Sequence, residues 1–199
     1  MKFKHTLLAF VIVVFFSCKN DSANKSNSDT TNTNTVTKEH KGQAGVAAVE
    51  GEEKNVLQVA MTYEDKEGNK PFSTLVAAVQ AAGVEDALVN AGPLTVFAPV
   101  NSAFDKLPEG TVETLLKPEN KSKLAFVLVN HVAPANYPIK QLKKEAKKGR
   151  KLYMASGKYL VVENKDGKIF VGGTEVLMSV KVSNGWIHVV GDVLVPSDK

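Results

Sequence analysis

The chain has 199 residues, and its 25 Lys and Arg against 21 Asp and Glu leave a formal charge of +4 at neutral pH. This excess is too small to argue for nucleic acid as a partner, because nucleic-acid-binding domains concentrate a strong basic excess on one face. The single cysteine excludes an internal disulfide and the paired cysteines of a structural zinc site. A folded domain in this chain must therefore be held together by a hydrophobic core.

The first 18 residues have the pattern of an export signal. A basic start precedes an unbroken apolar run over residues 7–16, whereas a membrane-spanning helix needs about 20 apolar residues. Because Cys18 directly follows the small residue Ser17, the segment resembles a bacterial lipoprotein signal. That resemblance implies that residues 1–17 are removed and that Cys18 becomes the lipidated first residue. The alternative is an ordinary signal peptide with an incidental cysteine.

Residues 18–53 have the composition of a linker. Asn, Ser and Thr fill 13 of the 23 positions from Lys19 to Lys41, and the only aliphatic residues there are Ala23 and Val36. Such a segment cannot bury enough apolar surface to offset the entropy lost on ordering, so we expect it to be disordered. With the lipidated cysteine, it would tether a domain to the bacterial outer membrane or cell surface, with the periplasmic face as the other possibility.

Residues 54–196 have the length of one domain, and helical patterns precede strand patterns along them. Ser73, Asn101 and Thr111 are predicted helix N-caps, and Gly83 is a predicted helix stop. The predicted helices are 55–61, 73–82, 85–90, 112–116 and 121–129, and Asn101 is expected to cap a turn that carries Ala103 and Phe104. The predicted strands are 94–98, 151–155, 159–163, 168–171, 176–182, 186–190 and 193–195.

Turn signals support the strands of the C-terminal third. Asn184-Gly185 is a strong two-residue hairpin signal, and residues 164–167 supply another turn. Helices first and turn-linked strands later predict an α+β domain with a largely antiparallel sheet.

Four blocks of this domain resemble the fasciclin domain family. Residues 92–104 (GPLTVFAPVNSAF) and 184–196 (NGWIHVVGDVLVP) are similar to its two signature blocks. Residues 72–79 are similar to its helix opening, and residues 128–132 stand where the family carries a Tyr-His pair. The resemblance covers nearly all of residues 54–196 and implies a fasciclin-like, wedge-shaped β-sandwich flanked by short helices.

The resemblance also implies a role in adhesion. Fasciclin domains are secreted or membrane-anchored modules that bind matrix proteins, cell surfaces or carbohydrate, and in animals the Tyr-His region is linked to integrin binding. This sequence has Asn130 in place of the tyrosine, so only His131 carries over. Asn130 and His131 are accordingly the first candidate binding residues.

The local patterns suggest structural roles for several polar or aromatic residues. His131 continues the apolar face of the 121–131 helix, which favours a structural hydrogen bond to the Asn101 region over a ligand contact. His188 alternates with two apolar neighbours on its strand, so it is either half-exposed on the sheet surface or a second structural histidine. Trp186 is expected in the core.

A basic stretch over residues 140–151 supplies further candidates. It is either the solvated face of a helix or loop, or an electrostatic contact with an anionic polysaccharide, lipopolysaccharide or an acidic partner. Tyr137, just before it, either makes an exposed contact or packs at an edge. The candidate binding residues from this region are Tyr137, Lys143, Lys144, Lys147 and Lys148.

Nothing in the sequence marks a catalytic site, a metal site or a cofactor. Ser102 lacks a nucleophile-elbow motif, the histidines lack further metal ligands, and no glycine-rich phosphate loop is present. We therefore expect a monomeric, non-catalytic adhesion module that binds a matrix or surface protein or a polysaccharide. Its contact with the membrane would be through the lipid alone. The alternative is a structural or assembly accessory lipoprotein within the envelope.

Overall fold

The computed structural model describes residues 54–89 and 92–196. The predicted signal segment, the lipidation site Cys18 and the linker to residue 53 lie outside these residues. The boundaries proposed for the three parts of the chain stay predictions.

The described residues form seven α-helices, one 3-10 turn at Pro118–Asn120 and seven strands. The helices are α1 (Val56–Thr62), α2 (Ser73–Ala82), α3 (Glu85–Val89), α4 (Asn101–Phe104), α5 (Thr111–Leu115), α6 (Lys121–Val129) and α7 (Ile139–Lys147). The strands are β1 (Leu94–Pro99), β2 (Val132–Ala133), β3 (Lys151–Tyr153), β4 (Tyr159–Lys165), β5 (Lys168–Val171), β6 (Thr174–Val182) and β7 (Gly185–Val190).

The seven strands form one curved, barrel-like sheet in the order β2-β1-β7-β6-β5-β4-β3. Strands β1 and β7 are parallel, with Thr95 opposite Trp186 and Phe97 opposite His188, and all other pairs are antiparallel. The α+β class and the largely antiparallel sheet are confirmed.

Two apolar clusters lie on opposite faces of β1. Val96 and Ala98 join the cluster formed with α1, α2, α3 and α6, whereas Phe97 joins the cluster formed with α7 and β3 to β5. Because both of its faces are covered, β1 is an apolar run without polar alternation, as in other strands buried on both sides.

Gly185 permits the close start of the parallel β1–β7 pair. A Cβ atom at this position would lie 1.8 Å from the carbonyl oxygen of Leu94, and the glycine has a φ of 149°. The Leu94 N–H donates to the carbonyl oxygen of Asn184 at 2.9 Å, which fixes the two chains at this distance. Only glycine fits such an approach.

The three predicted N-caps each lie one position inside their helices: Ser73, Asn101 and Thr111 are the first residues of α2, α4 and α5. Asn101 nevertheless caps a helix, because its Oδ1 accepts the Thr74 N–H of α2 at 3.0 Å. Its Nδ2 donates to the Ser73 hydroxyl and to the Lys70 carbonyl. Asn101 is therefore a helix cap, as predicted, but it caps α2 and not the helix that begins at residue 101.

The strand predicted at 193–195 is absent from the structure, where these residues are irregular. The reason is that side chains take the hydrogen bonds that a neighbouring strand would make: both backbone polar groups of Leu194 bind side chains of residues 130 and 131. At the same end, the Lys106 ammonium group binds the Gly191 carbonyl and the Asp192 carboxylate. The sequence prediction also missed β2 and left α7 undecided between helix and loop.

Candidate functional site

His131 is buried between the end of α6 and the C-terminal segment. Its Nδ1–H donates to the Val127 carbonyl at 2.8 Å, and its Nε2 accepts the Leu194 N–H at 2.8 Å. This pattern fixes one neutral tautomer, since the carbonyl can only accept and the amide can only donate. The predicted structural bond exists, but the predicted partner near Asn101 was wrong.

Burial controls the protonation of His131. Desolvation lowers its pKa from 6.5 to about 4, outweighing the opposite effect of the Val127 carbonyl. The imidazole is therefore neutral at physiological pH and can keep accepting the Leu194 N–H.

Asn130 forms the second side-chain hydrogen bond to the backbone of Leu194. Its Nδ2 donates to the Leu194 carbonyl at 2.8 Å, and its Oδ1 accepts the Ser156 hydroxyl at 2.7 Å. The side chain is fully buried. We call Asn130, His131, Ser156 and Leu194 the 130–131 junction. Neither of the candidate binding residues Asn130 and His131 presents its side chain to solvent, and the structural role favoured for His131 agrees with this burial.

His188 is a second buried structural histidine, and the half-exposed alternative was wrong. Its Nε2–H donates to the Tyr137 carbonyl at 2.7 Å, and its Nδ1 accepts the Ser179 hydroxyl at 2.8 Å. The ring also stacks on Phe97. Burial lowers the pKa of His188, as it does for His131.

Tyr137 is half-buried and held at an edge, as one of the two alternatives predicted. Its N–H donates to the Thr95 hydroxyl at 2.9 Å, its carbonyl accepts from His188, and it packs against the apolar cluster around Leu142. Through these contacts it positions the start of α7 against the sheet.

Helix α7 brings the predicted lysines together on one exposed surface. Leu142 is fully buried against the strands, while Lys143, Lys144, Lys147 and Lys148 are all exposed. We call these four lysines the basic face. Within residues 54–89 and 92–196, none of the four forms an ion pair.

The one acidic residue of α7 does not neutralise this face. Glu145 is buried, with its carboxylate accepting from the Gln141 amide and 3.7 Å from Arg150. The glutamate therefore points inward while the lysines point outward, which separates the charges of the helix. Leu142, Glu145 and Ala146 recur at helical spacing, and this period could have identified α7 from sequence.

Trp186 lies near the start of the inner strand β7, at one end of the sheet, and the prediction of a core position was wrong. It is half-buried and stacks at a 9° interplanar angle on His188, with 6.4 Å between ring centroids. Its other side borders an open groove, which sequence reasoning did not anticipate.

The described part of the chain contains no group of three or more His, Cys, Asp or Glu residues placed to hold a metal ion. Among the same residues, no helix has the length and apolar character needed to cross a membrane.

Comparison with known proteins gives consistent matches. The Fasciclin domain family model matches residues 70–196. Protein sll1483 of Synechocystis is 46% identical over 139 residues, which cover 69% of this chain and 74% of that protein. Transforming growth factor-beta-induced protein ig-h3 of Sus scrofa is 36% identical over 138 residues, covering 65% of this chain and 18% of that protein.

A solved structure shows the same fold. The FAS1 domain pair from the insect cell adhesion molecule Fasciclin I superposes with a TM-score of 0.61 at 20% identity, covering 72% of this chain and 51% of that one. The present chain thus spans about half of the domain pair, and the expected fasciclin-like fold is confirmed. Fasciclin domains occur in cell-adhesion proteins, which supports a role of the adhesion type. The chain belongs to the fasciclin domain family.

Proposed function

We propose that this chain is a non-catalytic adhesion module that binds an anionic polysaccharide through the basic face of α7, and that a lipid on Cys18 holds it at the bacterial envelope. The observation that carries the proposal is that four lysines of α7 and its C-cap are exposed and form no ion pair with the described residues, while the only acid of the helix is buried. Clustered charge of one sign attracts polyanions at long range.

The rigidity of α7 supports the proposal. Leu142 and Ala146 anchor the helix on the sheet, so the lysines project from a fixed surface. Fixed spacing lets several ammonium groups meet successive charges of one polymer at once. Individually weak exposed contacts then add up through multivalency.

The sequence supplies the support for anchoring. The apolar run ending at Cys18 resembles a lipoprotein signal, and the polar residues up to 53 would let the domain reach away from a bilayer. Such a tether allows many copies to engage one surface together.

Binding is tested with full-length protein carrying Cys18→Ser, immobilised at high density on beads and exposed to labelled polyuronate at rising salt. We expect retention at low salt that fades toward 1 M, where the Debye length falls from about 10 Å at 0.1 M to about 3 Å. A variant with Gln at positions 143, 144, 147 and 148 should lose retention.

The matched control carries Gln in place of four other exposed lysines, Lys66, Lys117, Lys121 and Lys123. It therefore loses the same number of positive charges from a different part of the surface. This control should be retained almost as well as the wild type. Equal losses in the two variants would reduce the effect to net charge and contradict the proposal.

The anchor and its orientation need a separate test in cells. Labelled fatty acid should be incorporated into the wild-type protein and lost with Cys18→Ser, and protease added to intact cells should release the domain. Labelling without release would favour the alternative, an assembly accessory facing the inside of the envelope. Absence of labelling would contradict the lipid anchor.

A further inference from the structure

A groove of about 460 Å³ opens beside Trp186, at the end of the sheet where β6 turns into β7. Its lining includes Trp186, Lys181, Ser183 and Asn136. The volume is within the range of small-molecule sites, about 300–1,000 Å³.

The indole presents one free face to this groove. His188 stacks on one side of the ring, and the groove is lined by β7 residues up to Trp186 and by none beyond it. The groove therefore lies on the side of the indole away from His188. The indole N–H has no hydrogen-bond partner within the described residues, and it is not a buried unsatisfied group.

Polar groups around the groove are also unengaged. Asn136 and Lys181 are exposed, and neither side chain forms a hydrogen bond or ion pair with any part of the chain that the structure describes. Lys181 stands directly opposite Trp186 in the β6–β7 pair. Among the described residues that line the groove, Lys181 is the only ionisable one, and it places a positive charge there.

We infer that this groove binds an acidic sugar unit, with a pyranose ring stacked on Trp186 and its carboxylate paired with Lys181. The C–H face of a pyranose is apolar and fits an aromatic ring, while Asn136 and the indole N–H supply hydrogen bonds to hydroxyl groups. The inference rests on the proposed function only in taking a polysaccharide as ligand. It deepens that function by assigning a sugar-recognising site separate from the basic face.

Trp186 is the only tryptophan in the chain, so its fluorescence reports on the groove directly. Full-length protein carrying Cys18→Ser is titrated with tetramers of galacturonate and of mannuronate, each compared with its methyl ester. We expect a saturable change in emission with at least one acid and weaker binding of its ester. Lys181→Gln and Asn136→Ala should each weaken binding about threefold to tenfold, and Lys117→Gln should have no effect.

Thermal unfolding is measured for each variant, and these exposed positions should leave it unchanged. The variant with Gln at the four lysines of the basic face should keep the fluorescence response, because none of these lysines lines the groove. No saturable response to either acid, equal binding of acid and ester, or an unaltered Lys181→Gln variant would overturn the inference. Bead retention without any fluorescence response would leave the proposed function standing and remove only this site.

Discussion

The 130–131 junction and the basic face of α7 use polar side chains in opposite ways, although Asn130 and His131 precede the first of the four lysines by only about a dozen residues. At the junction, the side chains of Asn130 and His131 form their hydrogen bonds inside the protein. Their partners are the backbone of Leu194, the Val127 carbonyl and the Ser156 hydroxyl. On α7, four lysines are exposed without an ion pair in the described residues. Asn130 and His131 stabilise the fold from within, whereas the charge available to a partner lies on a helix outside the four blocks that carry the family resemblance.

The physical difference is between buried neutral groups and solvated charges. A buried polar group stabilises the fold only when it is paired, and it destabilises the fold when one partner is removed. A solvated lysine contributes little to stability, and its charge stays available. Changes at the two regions should therefore separate stability from binding: those at the junction should lower the free energy of unfolding, and those on the basic face should weaken binding.

Lowering the pH should produce the largest loss in the free energy of unfolding. The pKa of His131 is about 4 in the folded protein and about 6.5 when unfolded, so the unfolded chain binds more protons between these values. The free energy of unfolding should therefore fall as the pH drops from 6.5 to 4, by about 3 kcal/mol from His131 alone. The measurement is denaturant unfolding at several pH values for the wild type and for His131→Gln, which cannot titrate. A stability difference between the two proteins that stays constant with pH would contradict this account.

Removing the His131 imidazole should produce the second largest loss of stability, measured at neutral pH. His131→Ala leaves the Leu194 N–H and the Val127 carbonyl without their partner and opens a small cavity, which should lower the free energy of unfolding by about 1–3 kcal/mol. Thermal and denaturant unfolding measure the loss, with Lys143→Ala as a surface control. An unchanged melting temperature would show that the junction does not stabilise the fold.

Asn130→Ala should cost about 1–2 kcal/mol, because the Leu194 carbonyl and the Ser156 hydroxyl each lose a partner. Ser156→Ala removes only one of these bonds and should cost less. The two changes share a bond, so the double variant should lose less than the sum of the single losses. Strict additivity would argue against the shared bond.

Neutralising the basic face should have the smallest effect on stability. Gln at all four lysines should change the free energy of unfolding by no more than about 0.5 kcal/mol, since the side chains are exposed and form no ion pair in the described part of the chain. The same denaturant experiment measures it. A loss above 1 kcal/mol would mean that the lysines stabilise α7 against the sheet.

The sequence predicted the elements with strong local signals. Helix α6 has the predicted bounds, Gly83 ends α2 in a left-handed conformation, and a tight hairpin turn joins β6 to β7. Its two turn residues are Ser183 and Asn184, one position before the predicted pair, and Gly185 begins β7 opposite Val182. These features depend on neighbouring residues, so local patterns were sufficient.

The predictions that were wrong concern contacts between residues far apart in the chain. No local pattern shows that Asn101 caps a helix 27 positions earlier, or that Leu194 pairs with side chains of residues 130 and 131 instead of a strand. The candidate residues divide in the same way. The candidate lysines are exposed as expected, whereas His131, carried over by resemblance, and its neighbour Asn130 are buried.

The most direct test of the central claim is an NMR titration of the isotope-labelled protein with a soluble polyuronate at low salt. The account predicts that backbone amide shifts move for residues 140–151 and stay still for Asn130, His131 and Leu194. Shifts centred on the junction, with α7 unmoved, would contradict it and return the binding site to the position of the family's Tyr-His pair.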